Sequence, residues 1–367
     1  MKTEGQSSTA QPIRRVVKNE LHFYKPKQEM IKHRDSNFEL LRIVAMMLVM
    51  LVHANYLSLG NVTQSELQTA PVAGIARVLC EQLCIVSVNI FVLLSGWFGI
   101  RPTLKKFTSL LFQILFIGLS MVQICRFAGA EVSPKSFNDL LYFGASYWFV
   151  PAYMILFCLA PVLNAFCERA EKNEFRWVLI SFFVLEMLFG WLAYDYAHFA
   201  RGYSAISFVG LYLLAQYVRR HADRLRALKW WQSLFLYLLF TIIPALIALG
   251  GIYTKNNELG STSYSSIFVI AASVSLLLVF EKMHFESKVV NWLASSAFAI
   301  YLVHQAPGMF NLYCNFFKES YVSMSGWLFI PFAILTTSLL GLSSILLDKV
   351  RIALWELLLR LKAFIVK

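Results

Sequence analysis

The sequence predicts an all-α, polytopic integral membrane protein of about ten transmembrane helices with both termini cytoplasmic. Three observations predict it. Hydrophobic residues make up 58% of the 367 and charged residues only 15%, against about 45–50% and 25% in an average soluble domain. A soluble globule of this size cannot hide so much apolar surface. Apolar runs approaching the ~20 residues needed to cross a bilayer recur along the chain. Lysine and arginine then alternate between the segments joining those runs, 26 falling in one alternate set and 4 in the other. Cytoplasmic segments carry the excess of positive charge, so the richer set, which includes both ends of the chain, faces the cytoplasm.

The ten expected spans lie near 38–57, 77–100, 107–127, 145–166, 177–195, 204–218, 231–250, 264–280, 289–311 and 326–347. The chain divides into a basic cytoplasmic tail (1–36), one membrane domain (37–348) and a C-terminal stretch (349–367). That last stretch alternates charged and apolar residues at helical spacing and reads as an amphipathic helix on the inner leaflet. The net charge of +12 is explained by the cytoplasmic face, where anionic headgroups attract it. No basic stretch joins a nucleic-acid-binding module, so nucleic acid is not an expected partner. A cleavable signal peptide is not expected either, because about 36 polar residues precede the first apolar run. The six cysteines form no CxxC pair, and Cys80 and Cys84, on one helix face, read as packing residues. HExxH, GxSxG, glycine-rich phosphate loops and paired metal ligands are absent, so no metal cofactor is expected.

Ionisable residues inside a bilayer are costly and mark function by default. Here they are Glu39, Arg42 and His53 in the first span, Arg77 and Glu81 in the second, Arg126 in the third, Glu186 in the fifth and His304 in the ninth. Arg42 and His53 are eleven residues apart, three turns plus about 20°, so they share a helix face with a rise of roughly 16 Å between them. Glu39, three residues before Arg42, can orient its guanidinium. A charged guanidinium fork suits phosphate, and imidazole exchanges protons near neutral pH. The plainer reading of the pair is a snorkelling arginine and a core histidine.

In the second span Ser95 and Gly96 suggest close helix packing, whereas Asn89 could donate to a developing oxyanion. The helix leaves into a short basic loop with Arg101, Lys105 and Lys106. In the fourth span Pro151 and Pro161 suggest a kinked helix beside a cavity. Trp148 and Tyr153 could line that cavity, although Tyr147 and Trp148 read more simply as an interfacial aromatic belt. Tyr301 and His304 lie one turn apart in the ninth span.

The segments LLRIVAMMLVMLVH, SVNIFVLLSGWFGI, YWFVPAYMILFCLAPVLN and SSAFAIYLVHQ, in this order, resemble the acyltransferase family 3 integral membrane proteins over roughly residues 36–348. The resemblance implies transfer of an acyl group, usually acetyl from cytoplasmic acetyl-CoA, to a hydroxyl of a surface polysaccharide or lipid-linked sugar. It implies a multi-pass protein of the cell membrane, with acyl-CoA, a carbohydrate or glycolipid acceptor and the bilayer as partners. The family's essential Arg and His match Arg42 and His53. Its basic cytoplasmic segment, often paired arginines, corresponds here to Arg101, Lys105 and Lys106. Arg42, Arg101 and Lys105 are thus expected to hold the acetyl-CoA phosphates. His53 is expected to act as general base or through an acetyl-imidazole. Glu39, Asn89, Trp148, Tyr153, Tyr301 and His304 are expected to position the substrates. The alternative class is a transporter or flippase for lipid-linked saccharides, which would share the spans, a midplane cavity and intramembrane charges.

Overall fold

The computed structural model describes residues 35–130, 132, 138, 140, 147–193, 197–254 and 263–365, and among them every regular element is helical. The basic tail expected over 1–36 falls outside the described residues up to position 34. Helix α1 (Ser36–Val52) runs into a π-helical turn (His53–Leu57). A short α2 (Gln64–Thr69) precedes α3 (Pro71–Cys84) and α4 (Ser87–Phe98), which together make one apolar stretch interrupted at Ile85–Val86. Next come α5 (Leu104–Phe127), α6 (Phe149–Arg169), α7 (Lys172–Glu186, extended by a π turn, Met187–Leu192) and α8 (Ala205–His221). A four-residue α9 (Asp223–Arg226) leads to α10 (Trp230–Thr254) and α11 (Ile267–Glu281). The chain ends with α12 (Lys288–Ala294), α13 (Ala297–His304), α14 (Met309–Ser323) and α15 (Phe329–Ile365).

Seven stretches among the described residues are long and apolar enough to cross a membrane: Ser36–Leu57, Pro71–Phe98, Leu104–Phe127, Phe149–Arg169, Lys172–Leu192, Trp230–Thr254 and Gly326–Leu361. The other three expected spans are shorter helices. Those near 204–218 and 264–280 are α8 and α11, of 17 and 15 residues. The span expected near 289–311 is the broken pair α12 and α13, of 7 and 8 residues. At ~1.5 Å per residue, α8 and α11 reach about 26 and 22 Å, less than the ~30 Å hydrocarbon core.

Helix α1 lies at the centre, packed against α3, α4, α11, α12, α13 and α15. Its sequence, NFELLRIVAMMLVMLV, is apolar on nearly every side, the pattern of a helix enclosed by others. Leu41, Ala45, Met46, Val49 and Met50 are all buried. Its start is fastened by side chains. The Ser36 hydroxyl donates to Asn291 Oδ1 (3.0 Å) and accepts from the Ser287 N–H (2.9 Å), and Asn37 Nδ2 donates to the Phe280 carbonyl (2.8 Å).

The end of α4 is clasped by α8. Gln216 Nε2 donates to the Gly96 carbonyl and Arg219 Nη1 to that of Trp97, each at 2.5 Å. Both are last-turn carbonyls, beyond the regular helical ladder, and that of Gly96 also accepts from the capping Gly99 N–H (3.1 Å). The close packing expected at Gly96 is present, since a Cβ there would sit 2.5 Å from the Tyr212 carbonyl oxygen and 2.9 Å from the Ala215 Cβ.

Two expectations are corrected. Tyr147 is no interfacial residue: it is wholly buried and its hydroxyl donates to the Leu302 carbonyl (2.9 Å). Its neighbour Trp148 rests on Tyr203, ring centroids 4.5 Å apart. Pro151 lies in the first turn of α6, where the N–H it lacks would have no helical partner, so Pro161 is left as the interior proline. The stretch expected to be helical from 349 onward continues α15, which runs unbroken for 37 residues to Ile365. At the expected boundary the buried Asp348 and Arg351 form a two-point ion pair (2.8 and 2.9 Å), and Gln113 Nε2 donates to Asp348 Oδ1 (3.0 Å).

Gly96→Leu is expected to cost about 1–3 kcal/mol by overpacking and to lower the thermal unfolding midpoint of the purified protein. Gly250→Leu, where a Cβ meets nothing within 4 Å, is expected to leave the midpoint unchanged or raise it.

Candidate active site

The His53 end of α1 opens on a cavity of about 200 Å³. Met46, Val49 and His53 of α1 line it, together with Ile85 and Val88 from the second stretch, Phe149 from α6 and Tyr301 from α13. Arg42, Met46, Val49 and His53 are spaced i, i+4, i+7 and i+11, one stripe of a helix. The cavity therefore follows that stripe to within one turn of Arg42.

The helix changes form at His53. The Tyr313 hydroxyl donates to the Met50 carbonyl (2.7 Å) and the Ser58 hydroxyl to the carbonyl of His53 itself (2.8 Å). Side-chain bonds of this kind supply partners where a π turn leaves the regular helical ladder. A π turn begins at His53 in consequence, and the ring it presents is buried, with Phe310 edge-on at 5.6 Å.

Hydrogen bonds fix the protonation pattern of two histidines. His304 Nδ1 lies 2.6 Å from the Ile300 carbonyl, so it must carry a hydrogen and donate. In the neutral ring its Nε2 is then an acceptor. That Nε2 lies 2.9 Å from His53 Nδ1, which therefore donates. The atom left on His53 is an unprotonated Nε2 in the ring that faces the cavity. A nitrogen in this state can take a proton from a hydroxyl, and His304 can stabilise the resulting cation through the bond it already makes.

Three further polar groups in the cavity wall have buried atoms without a hydrogen-bond partner: Glu81 Oε1, the Tyr301 hydroxyl and Gln305 Oε1. The other oxygen of Glu81 accepts from Asn55 Nδ2 (3.2 Å). Asn55 also ties Arg77, donating to its carbonyl (3.0 Å) and accepting from its Nε (3.0 Å). The Arg77 guanidinium completes its set with Glu66 (both oxygens at 2.7 Å) and the Gly60 carbonyl (2.6 Å), and lies over the Tyr321 ring at 5.3 Å. Arg77 is thus the buried fastening behind the site, joining α2, α3 and α14.

At the other end of the stripe, Arg42 is about one-third exposed and Nη1 pairs with Glu39 at 2.6 Å. This leaves Nη2 and Nε without a partner among the described residues. Phe38, one turn earlier, packs its ring against Trp97 and Phe98 (5.7 and 5.2 Å). The Arg42 end of α1 therefore adjoins the end of α4, from which the loop bearing Arg101, Lys105 and Lys106 leaves. That loop is pinned at Ile100, whose N–H donates to the Tyr212 hydroxyl (2.9 Å) and whose carbonyl accepts from Asn164 (2.9 Å). Arg101 and Lys105 are exposed. Tyr153 stacks on Phe149 (5.5 Å) and shares a hydrogen bond with Ser95 (3.2 Å) outside the cavity wall. Asn89 does not line the cavity; its amide holds the Tyr264 carbonyl (3.0 Å).

The structure thus brings His53, His304, Tyr301 and Trp148 to one cavity, sets Arg42 with Glu39 at its far end, and leaves Asn89 as a tie between segments. Sequence reasoning gave no role to Glu81, Gln305, Tyr56, Tyr203 or Tyr264. Glu81 was signalled only by its charge, and Gln305 only by its place one turn after Tyr301.

A family model described as an acyltransferase domain, that of acyltransferase family 3, matches residues 35–346. The chain belongs to acyltransferase family 3. Neither a curated protein nor a solved structure matches it. The match covers α1 to α14 and the first half of α15, so the cavity, both histidines and Arg42 all lie within the acyltransferase domain. With seven membrane-length apolar helices, this is a multi-pass membrane acyltransferase. Among the described residues no group of three or more His, Cys, Asp or Glu could hold a metal ion.

Glu66→Gln is expected to weaken the clamp on the buried Arg77 and cost about 3 kcal/mol, read as a fall in the unfolding midpoint. Arg77→Lys is expected to fare no better than Arg77→Met. One ammonium cannot reach Asn55, Glu66 and the Gly60 carbonyl from the separate directions the guanidinium fork uses.

Proposed function

We propose that this acyltransferase moves an acetyl group from cytoplasmic acetyl-CoA to a hydroxyl of a surface polysaccharide or lipid-linked sugar. The observation that carries the reading is the buried His53 ring in the cavity wall, its Nδ1 2.9 Å from His304 Nε2, with His304 Nδ1 in turn 2.6 Å from the Ile300 carbonyl.

In this mechanism the donor enters from the Arg42 end. Arg42, oriented by Glu39, grips phosphate through its free donors, with Arg101 and Lys105 adding charge on the adjoining loop. The pantetheine arm lies along Met46 and Val49, an apolar stripe of α1. Arg42 and His53 are about 16 Å apart along the helix, and this separation puts the thioester beside His53.

The acceptor hydroxyl gives its proton to His53 Nε2 as its oxygen attacks the thioester carbonyl. The carbon–sulfur bond breaks, and the leaving thiolate takes that proton, regenerating the base and releasing free CoA. An acetyl-imidazole route would use the same Nε2 lone pair, as nucleophile in place of base, with His304 holding Nδ1 in either case. Tyr301 and Trp148 border the acceptor. Tyr153 acts from behind the wall, through Phe149 on which it stacks, and Asn89 acts through the backbone it holds.

The full topology belongs to the same reading. The ten-span arrangement uses α8, α11 and the α12–α13 pair as short spans enclosed by neighbours. Both ends are cytoplasmic, in the cell membrane, in accord with the 26-to-4 distribution of Lys and Arg.

His53→Ala is expected to abolish glycolipid-dependent release of CoA from acetyl-CoA by protein in lipid nanodiscs, without loss of folding. His304→Gln is expected to retain part of the activity, since its amide can both accept from His53 and donate to Ile300, whereas His304→Leu is expected to lose about 10²-fold or more. Arg42→Ala is expected to raise the apparent KM for acetyl-CoA. An unchanged KM would remove the phosphate-binding role.

A further inference from the structure

The cavity's unpartnered polar atoms have a common chemical character. Glu81 is 7% exposed and Gln305 6%, and each lines the cavity and carries a buried side-chain oxygen with no hydrogen-bond partner. Buried polar atoms left unpaired are costly, and native interiors satisfy them almost without exception. Neither oxygen is needed for the proton transfer assigned to His53. The remaining walls are aromatic, with Trp148, Tyr203 and Tyr264 in mutual contact (centroids 4.5–6.2 Å) and Tyr56 beside them.

We infer that Glu81 and Gln305 form a specificity subsite for a second hydroxyl, so that the enzyme selects acceptors bearing a vicinal diol on a ring. The inference rests on the acyltransfer reading and adds the group that chooses the acceptor. The reacting hydroxyl donates to His53 Nε2. Its neighbour donates to Glu81 Oε1, with Gln305 Oε1 as a further acceptor, while the ring's C–H face lies on the aromatic wall. Glu81 is held for this by Asn55, whose amide donates to Oε2 and leaves Oε1 without a partner. Asn55 is in turn fixed by Arg77, which connects acceptor choice to the clamp behind the site.

Glu81→Gln tests the assignment with little change of shape. In the variant the amide oxygen faces the Asn55 donor, so an NH2 group faces the cavity. An acceptor atom there becomes a donor, and the second hydroxyl loses its partner. The experiment offers acetyl-CoA and a small ring alcohol to full-length protein in lipid nanodiscs and follows ester formation by mass spectrometry. The probes are trans-1,2-cyclohexanediol, cis-1,2-cyclohexanediol and cyclohexanol, with membrane glycolipid extract as a separate acceptor.

Wild type is expected to acetylate at least one diol with a kcat/KM about tenfold or more above cyclohexanol, the cost of leaving a buried polar group without its hydrogen bond. Glu81→Gln and, to a smaller degree, Gln305→Leu are expected to bring that ratio toward one. Equal rates on diol and monool, or a ratio untouched by both variants, would overturn the subsite. So would failure to acetylate any probe while extract-dependent CoA release persists, an outcome that leaves the acyltransfer reading standing. Absence of CoA release with the extract as well would instead remove the acyltransfer reading, and the subsite with it.

Discussion

The hydrogen bonds from the Ile300 carbonyl through His304 to His53 govern how the rest of the molecule is arranged around its cavity. Each link fixes the next: a carbonyl that can only accept sets one ring, and that ring sets the other. The relay joins two distant parts of the chain, α1 with its π turn and α13. Both must be held in register to a fraction of an ångström for a 2.9 Å contact to exist. The packing of α1 against six other helices and the Tyr313 bond to Met50 supply that register. So does the break between α12 and α13, which lets a short helix approach at the depth of His53.

The constraint explains why so many polar groups lie within an apolar interior. Arg77, Glu66, Asn55 and Glu81 form one connected set in which nearly every donor is matched. Unpartnered buried atoms on Glu81, Tyr301 and Gln305 belong to residues that line the cavity, while others, on Ser87, Asn89, Glu186, Ser233 and Ser296, lie elsewhere. A membrane interior penalises unmatched polar atoms, and at the cavity a substrate can complete them. On the opposite end of α1 the same logic applies to Arg42, half engaged by Glu39 and otherwise open.

Much of the fold was legible because a bilayer imposes a coarse code of apolar length and loop charge. The seven long stretches follow expected spans closely, and Arg42 and His53 could be placed on one stripe by helical arithmetic alone. The short helices α8 and α11 and the split of α12 from α13 were not legible, because an apolar run looks the same whether it crosses lipid or fills a protein core. Tyr147 and Trp148 show the same ambiguity: amphipathic rings suit either a headgroup belt or a buried hydrogen bond, and only tertiary contacts decide. Within the site, the π turn at His53 depends on hydroxyls from Ser58 and Tyr313, the latter 260 residues away in sequence. The pairing of His53 with His304 and the roles of Glu81 and Gln305 depend likewise on contacts that no local pattern encodes.

The most direct test of this account is the tautomer of His53. Ring-¹⁵N-labelled protein in nanodiscs, assigned by comparison with His53→Gln and His304→Gln, reports which nitrogen carries the hydrogen. The account requires His53 to be neutral with the hydrogen on Nδ1, its Nε2 signal showing a free lone pair, and requires His304→Leu to scramble that preference. A His53 ring protonated on Nε2, or one whose tautomer is indifferent to His304, would contradict it.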